Sequence, residues 1–335
     1  SSADAFLKPV TERQNLEILN HAHVLKIVIS GNKAIGVIYS INGKRHTAMC
    51  DAEIILSAGS INTPKILNLS GIGDPDELNK LGIKTNIANK NIGKNLQDHL
   101  TVNISATVEG HSTFYEELRG LNVIKHLINY YRNKPSLFSY AAADVGVFFK
   151  LDESSQNPDF QIHFAPGAGQ YHKDGKMRPI SGITASVCQL RPFSRGSVKL
   201  QTANYEDDPI IDYGYLNDSR DTKILLKGIK IVRQFFKTTV MNNLNAKEVA
   251  PGIHVINDAD LEKFLKATAL SVYHPVGTCK MGLDSTSVVD PELRVHGVEG
   301  LRVADASILP QLISGNTNAI CNVIGVKCAD MVERN

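Results

Sequence analysis

Long hydrophobic runs are missing from this 335-residue sequence. No stretch approaches the ~18 apolar residues that cross a bilayer as a helix, so no membrane span is expected. Residues 1–20 also lack a basic segment followed by an apolar one, so no signal peptide is expected in that stretch. An excess of one charge is missing too. Lys+Arg number 36 against 34 Asp+Glu, and the basic residues are scattered, which excludes the basic stripe of a nucleic-acid binder. Cysteine is scarce: Cys50, Cys188, Cys279, Cys321 and Cys328 are odd in number and form no CxxC. That argues against a disulfide framework and for a reducing, cytoplasmic setting. Three catalytic signatures are absent as well. There is no GxSxG elbow for a hydrolytic serine. His21-x-His23 finds no third ligand at a convincing spacing, so no metal site is expected. Gly71-Ile72-Gly73 and Gly167-Ala168-Gly169 both fail to complete GxGxxG, the dinucleotide fingerprint.

With 42% hydrophobic and 21% charged residues, the composition is that of a globular protein with ample core. The length suggests about two domains. Residues 16–58 read as β-rich, with 24–30 and 34–41 flanking a hairpin signal at Gly31-Asn32-Lys33. Residues 53–59 read as a short buried strand ending in glycine. Asn62-Thr63-Pro64 is expected to open a helix, a capping side chain standing just before a first-turn proline. That helix stops at Gly71, and another runs from Asp74-Pro75 to Gly82. From 100 to 215 the pattern becomes antiparallel sheet: TVNISATV, FQIHFAP, ITASVCQL and GSVKLQ alternate with turn residues, around a helix expected near 118–132. Helical spacing returns after Asp218/Ser219 and after Asp258. LRVADAS (301–307) reads as strand and turn. Ile320, Val323, Ile324, Cys328 and Met331 predict one face of a terminal helix. No linker or repeat separates the parts, so two domains are expected to interleave in sequence.

Two polar clusters carry candidate chemistry. In SVYHPVGTCKMG (271–282), Pro275 pushes His274 toward extended backbone. Gly277 lets the chain fold back closely behind it, and a ring so held titrates near neutrality. A structural histidine and a catalytic base both fit. Cys279, five residues on, is either a reactive thiolate or a buried, inert thiol. In SGNTNA (314–319), Asn316, Thr317 and Asn318 either cap the terminal helix or also present its amides to an anion.

Six segments, in order, resemble the glucose–methanol–choline (GMC) flavoprotein oxidoreductases: GSINTPKILNLSGIG (59–73), IGKNLQDH (92–99), LRPFSRGSVKL (190–200), YHPVGTCKMG (273–282), VVDPELRVHGVEGLRVADASILP (288–310) and SGNTNA (314–319). The likeness is nearest to bacterial choline-dehydrogenase-like and alcohol-dehydrogenase-like members. It implies an α+β fold: the remainder of a FAD-binding domain lacking its N-terminal Rossmann βαβ, plus a substrate domain with an antiparallel sheet flanked by helices. Residues 1–99 and 273–335 are then the FAD-binding parts and 100–272 the substrate-binding domain. The implied reaction is oxidation of a primary alcohol to an aldehyde, by proton abstraction and hydride transfer to flavin N5. The resemblance makes His274 the base, with Asn316 beside it. Asp305 and Ala306 match the turn over the ribityl–pyrophosphate region, and Thr317 and Asn318 approach the isoalloxazine. Val24 matches a position whose backbone meets the adenine, and Ala58 belongs to the same cofactor-binding set. Cys279 loses its claim as a nucleophile, since that position takes other small residues in the family.

Two departures shape the expectation further. The family opens with a strand–turn–helix carrying GxGxxG, and that half is expected to be missing, with the segment lining the flavin's other side. Ser1-Ser2-Ala3 matches the middle of the family pattern. The chain is therefore expected to be the C-terminal part of a longer protein, completed by the same gene or by a partner chain, and to hold FAD weakly alone. Choline-oxidising members carry a carboxylate two residues after the QDH histidine. Here Leu100 and Thr101 follow His99, which points to a neutral alcohol. The expected electron acceptor is a quinone or oxygen, and the expected location is the cytoplasm or, by peripheral association, the inner membrane. A GMC-type hydroxynitrile lyase and a non-catalytic subunit are the alternatives.

Overall fold

The computed structural model describes residues 1–335 apart from 142, 144, 172–176 and 335. Two hydrophobic cores organise them. The first gathers residues from both ends of the chain, Ile27, Leu67, Ile72, Val276, Val289, Val303, Ile324 and Cys328 among them. The second is drawn from the middle, from Leu100 and Val102 through Phe160, Val187 and Ile229 to Leu265. Most of these side chains are almost fully sealed from solvent, and burying each contributes roughly 1.5–3 kcal/mol.

The first core begins with the expected hairpin. Strands His23–Ser30 and Lys33–Ile41 pair antiparallel across Gly31, which takes φ +61°, and Lys44–Met49 extends the sheet. Ile54–Leu56 does not join this hairpin. It pairs parallel with Leu301–Val303, and this pairing draws the C-terminal segments into the first core. The helix after it runs Gly59–Leu69, three residues earlier than Asn62-Thr63-Pro64 predicts, and Pro64 lies inside it. A proline there cannot bond the carbonyl four residues back, Ser60 O. The Thr278 hydroxyl donates to that oxygen instead, at 2.7 Å. The helix ends at Ser70–Gly71, and Pro75–Lys80 follows with Asp74 as its cap, as the turn residues suggest.

The second core lies against one face of an antiparallel sheet. Its order is Lys247–Ala250, Leu100–Thr107, Gly182–Gln189, Phe160–Ala165, Val145–Phe149, with Leu270–Ser271 also paired to Leu100–Thr107. GSVKLQ is a strand as expected, but Gly196–Lys199 belongs to a separate sheet with Lys94–Leu96 and Ile210–Asp212. Helix Ser219–Phe235 packs on the main sheet through Leu225, Ile229 and Val232, and Asp258–Thr268 packs beside it through Leu261 and Leu265. The alternation of side chains leaves Asn103, Ser105, His163, Thr184 and Ser186 on the opposite face.

The terminal helix is Thr317–Glu333. Ile324 and Cys328 are buried and Ile320 and Met331 pack against the first core, but Val323 is 50% exposed. Positions 320, 324, 328 and 331 keep one stripe, and residue 323 falls off it. No helix among the described residues is long and apolar enough to cross a membrane.

Candidate active site

Two chain segments meet where the cores join. Leu100–Thr107 and Leu270–Ser271 pair Ser271 with Leu100, and the ribbon continues past the sheet through Gln97 and Val276. Val276 N donates to Gln97 O at 2.9 Å, and Gln97 N to Val276 O at 3.0 Å. This ribbon sets Asp98-His99 directly against Ser271–His274.

Asp98 is 3% exposed, and both its oxygens are occupied. Oδ1 accepts from the backbone amides of His99 (2.9 Å) and His274 (2.8 Å). Oδ2 accepts from the hydroxyls of Tyr215 and Ser271, each at 2.5 Å. A buried carboxylate is tolerable only with such a set of donors. It ties the His274 backbone to the end of the sheet. Tyr273, immediately before, takes φ +62°, a left-handed conformation uncommon for a bulky residue. Gly277 follows at φ +91°, and a Cβ there would stand 2.5 Å from Asn95 O, so the close return predicted behind the ring does require glycine.

The loop is also fastened to the Gly59–Leu69 helix. Ser60 Oγ donates to Pro275 O at 2.7 Å, beside the Thr278–Ser60 bond. Gly277 N reaches Ala306 O at 3.3 Å, and Cys279 N bonds Ser307 O at 2.8 Å. Asp305 completes the junction. Its Oδ2 accepts from Thr63 Oγ1 (2.5 Å) and Gly59 N (2.9 Å), and its Oδ1 caps the turn through Ser307 N. Cys279 is fully buried and burial pushes its thiol far above the ordinary range, so it is no nucleophile.

The His274 ring faces two partners. Its Nδ1 lies 2.9 Å from Nδ1 of His99, and its Nε2 lies 3.4 Å from Nδ2 of Asn316. His99 is 1% exposed, and its Nε2 stands 3.0 Å from Leu190 O. A carbonyl can only accept, so His99 Nε2 carries the proton. Burial lowers the His99 pKa to about 4, with the Leu190 carbonyl opposing, so the ring is neutral at pH 7 and its Nδ1 is an acceptor. His274 Nδ1 must then hold a proton, which leaves His274 Nε2 as a free lone pair facing Asn316. Burial also holds His274 below the ordinary histidine range, and the Asp98 charge partly offsets this. The ring is neutral at pH 7, in the tautomer a proton acceptor needs.

Asn316 is the N-cap residue of the terminal helix, yet its side chain makes no capping bond. Simple capping is therefore not its task. Thr317 and Asn318 open the helix beside it, Asn318 exposed. No heavy atom lies within 4 Å of a Cβ built on Gly315 or Gly59, so open space lies on the Cβ side of both. Val24 joins this group through Ala58: both line a cavity of about 730 Å³ together with Asn62, Lys65 and Glu206. Of the sequence-predicted set, His274 meets Asn316, with Thr317 and Asn318 following in the chain. Asp305, Ala306 and Ala58 cluster at the Gly59 helix start. Val24 lies on the cavity wall instead. The sequence reading did not single out His99, Asp98, Tyr215, Ser271 or Thr278. The one available signal was QDH itself, two titratable residues running straight into an apolar strand.

Comparison with known proteins fixes the class. Sequence models described as GMC oxidoreductase match residues 1–101, for the family's N-terminal region, and 192–325, for its C-terminal region. The chain belongs to the GMC oxidoreductases. It is 39% identical to an alcohol dehydrogenase [acceptor] of Pseudomonas putida over 342 residues, covering 100% of this chain and 61% of that protein. It is 36% identical to human mitochondrial choline dehydrogenase over 336 residues, covering 99% and 56%. Among solved structures, a formate oxidase from Aspergillus oryzae RIB40, studied for its FAD modification, superposes with a TM-score of 0.90 at 26% identity, covering 97% of this chain and 62% of that one. The chain thus spans a little over half the length of these relatives.

Proposed function

We propose that this protein oxidises a neutral primary alcohol to the aldehyde, with His274 taking the hydroxyl proton. The cofactor is FAD. The residues present fit it: open space lies on the Cβ side of Gly59 and Gly315, the helix start at Asn316 carries no side-chain cap, and Val24 and Ala58 line a cavity. Bound FAD supplies the hydride acceptor at N5. Asp305, Ala306, Thr317 and Asn318 would hold it beside the His274–Asn316 pair, and Val24 and Ala58 toward its adenine end.

The observation that carries this reading is the pair itself. His274 Nε2 and Asn316 Nδ2 stand 3.4 Å apart, close enough for one alcohol oxygen to bond both. An alcohol releases hydride readily only as its proton is drawn away, and a neutral imidazole held in the correct tautomer suits that transfer. Asn316 donates to the same oxygen without titrating. When Nε2 gains the proton, Nδ1 keeps its bond to His99, and the nearby Asp98 carboxylate favours the cation.

The choice of a neutral alcohol rests on the sheet face. Thr101 is 6% exposed and donates to Val187 O at 3.1 Å, so it offers no charge to a ligand. The single carboxylate in the six strands is Glu248, which Arg233 holds through two bonds at 2.8 and 2.9 Å. Residues 1–99 with 273–335 act as the FAD-binding part and 100–272 as the substrate domain, lacking the N-terminal Rossmann βαβ. No GxGxxG occurs in the 335 residues, and we assign that turn to polypeptide outside them, in the same gene or a partner. The electron acceptor is a quinone or oxygen, met in the cytoplasm or at the surface of the inner membrane.

The test is anaerobic mixing of the FAD-loaded full-length enzyme with primary alcohols while flavin absorbance is followed. Bleaching by neutral alcohols, faster than by choline, is expected. No bleaching by any alcohol, or choline far ahead of the rest, overturns the proposal.

A further inference from the structure

The helix Gly120–Tyr131 is built inside out. It buries no residue. The side turned toward the protein is half-buried at Val123, His126 and Asn129, two of them polar. His126 is held there by Glu117 at 3.0 Å and by Leu137 N at 3.2 Å, while Ser136 Oγ donates to His126 O at 2.7 Å. Leu121, Ile124, Ile128 and Tyr131 recur at helical spacing on the outer side, 80%, 50%, 49% and 81% exposed. Leu118, Leu127, Phe138 and Tyr140 widen the patch, each more than 40% exposed. A soluble helix turns its apolar stripe inward, and a contiguous outward patch of this kind marks a surface that something covers.

The charge says what. Residues 118–140 contain Arg119, Lys125, Arg132 and Lys134 and no Asp or Glu, in a chain whose charges otherwise nearly cancel. Lys125 and Arg132 border the apolar stripe, while Arg119 lies 3.7 Å over the Tyr115 ring. An apolar face edged by cations, with tyrosines among the exposed aromatics, matches the boundary between acyl chains and anionic headgroups. A second copy of this surface would bring four cations against four.

We propose that the Gly120–Tyr131 helix and its flanks dock on an anionic lipid bilayer, the apolar side chains entering the headgroup region. This rests on the proposed peripheral setting of the enzyme and names the surface responsible. The test is co-sedimentation of the full-length enzyme with vesicles of 7:3 phosphatidylcholine:phosphatidylglycerol and of phosphatidylcholine alone. Binding to the anionic vesicles is expected, weakened by salt. It should fall at least tenfold in a Leu121→Ser/Ile128→Ser/Tyr131→Ser variant and in a Lys125→Glu/Arg132→Glu variant. Turnover with a soluble dye acceptor should be unchanged in both, because none of these residues belongs to the site around His274. No vesicle binding by the parent protein overturns the inference. So does equal binding by the variants, a dimer in solution that the serine variant splits, or protection of this helix by the protein's own polypeptide in hydrogen exchange. Vesicle binding without alcohol turnover would sink the proposed reaction and leave the docking surface standing.

Discussion

Behind His274, Asp98 takes four hydrogen bonds, His99 is sealed against Leu190, and every contact closes on another part of the protein. In front of it, Asn316 makes no cap, Asn318 is exposed and open space lies beside Gly315. The rear fixes which nitrogen is basic, and the front leaves that nitrogen accessible. Changes behind the ring should therefore cost stability and activity together, and changes in front should cost activity alone.

The largest break is at the ring itself. His274→Ala should lower the rate of flavin reduction by alcohol about 10³-fold, the usual scale for losing a positioned base, with the melting temperature moved by only a few degrees. Next comes His99→Asn. It removes the acceptor that fixes the tautomer, so kcat should fall about 10²-fold with KM little changed, and the pH profile of kcat should shift. The same residue predicts an acid effect. Its folded pKa, about 4, lies below the ordinary 6.5, so the unfolded chain binds the extra proton. That stabilisation is complete above pH 6.5 and is lost as pH falls toward 4, at most about 3 kcal/mol. Denaturant midpoints across that window should slope in the parent protein and flatten in His99→Asn. A flat parent curve would remove the argument for a neutral, buried His99.

Asp98→Asn should cost about 1–3 kcal/mol by denaturant unfolding, since two charge-assisted acceptors become an amide. The smallest effect separates the two sides most cleanly. Asn316→Ala should slow flavin reduction about tenfold while stability changes by under about 0.5 kcal/mol, because no capping bond is lost. A loss of a full 1 kcal/mol there would mean that Asn316 is structural after all.

The front of the site was legible in the sequence only through resemblance: His274 and Asn316 are 42 residues apart, and nothing in local pattern joins them. The rear was not legible. His99 finds its partners 91 and 175 residues away, and Asp98 finds its hydroxyls 117 and 173 away. Secondary structure fared better where periodicity carried it, as in the hairpin at Gly31, the helix near 118–132 and Ser219–Phe235. It slipped where a distant group repaired a local defect. Pro64 looks like the start of a helix because nothing nearby can serve the carbonyl it strands, and the hydroxyl that does so is Thr278. Likewise, Lys247–Ala250 and Leu270–Ser271 are too short to announce themselves and are strands because Leu100–Thr107 offers them an edge.

The parallel pairing of Ile54–Leu56 with Leu301–Val303 carries a consequence for biosynthesis. The second core is complete once Leu265 has emerged from the ribosome, so that half can close while the chain is still being made. The first core must wait with one flank open until residues 301–335 arrive. Nascent chains stalled before Leu301 should therefore be protease-resistant across residues 100–265 and sensitive across residues 23–72, because the site needs segments from both flanks of the second core.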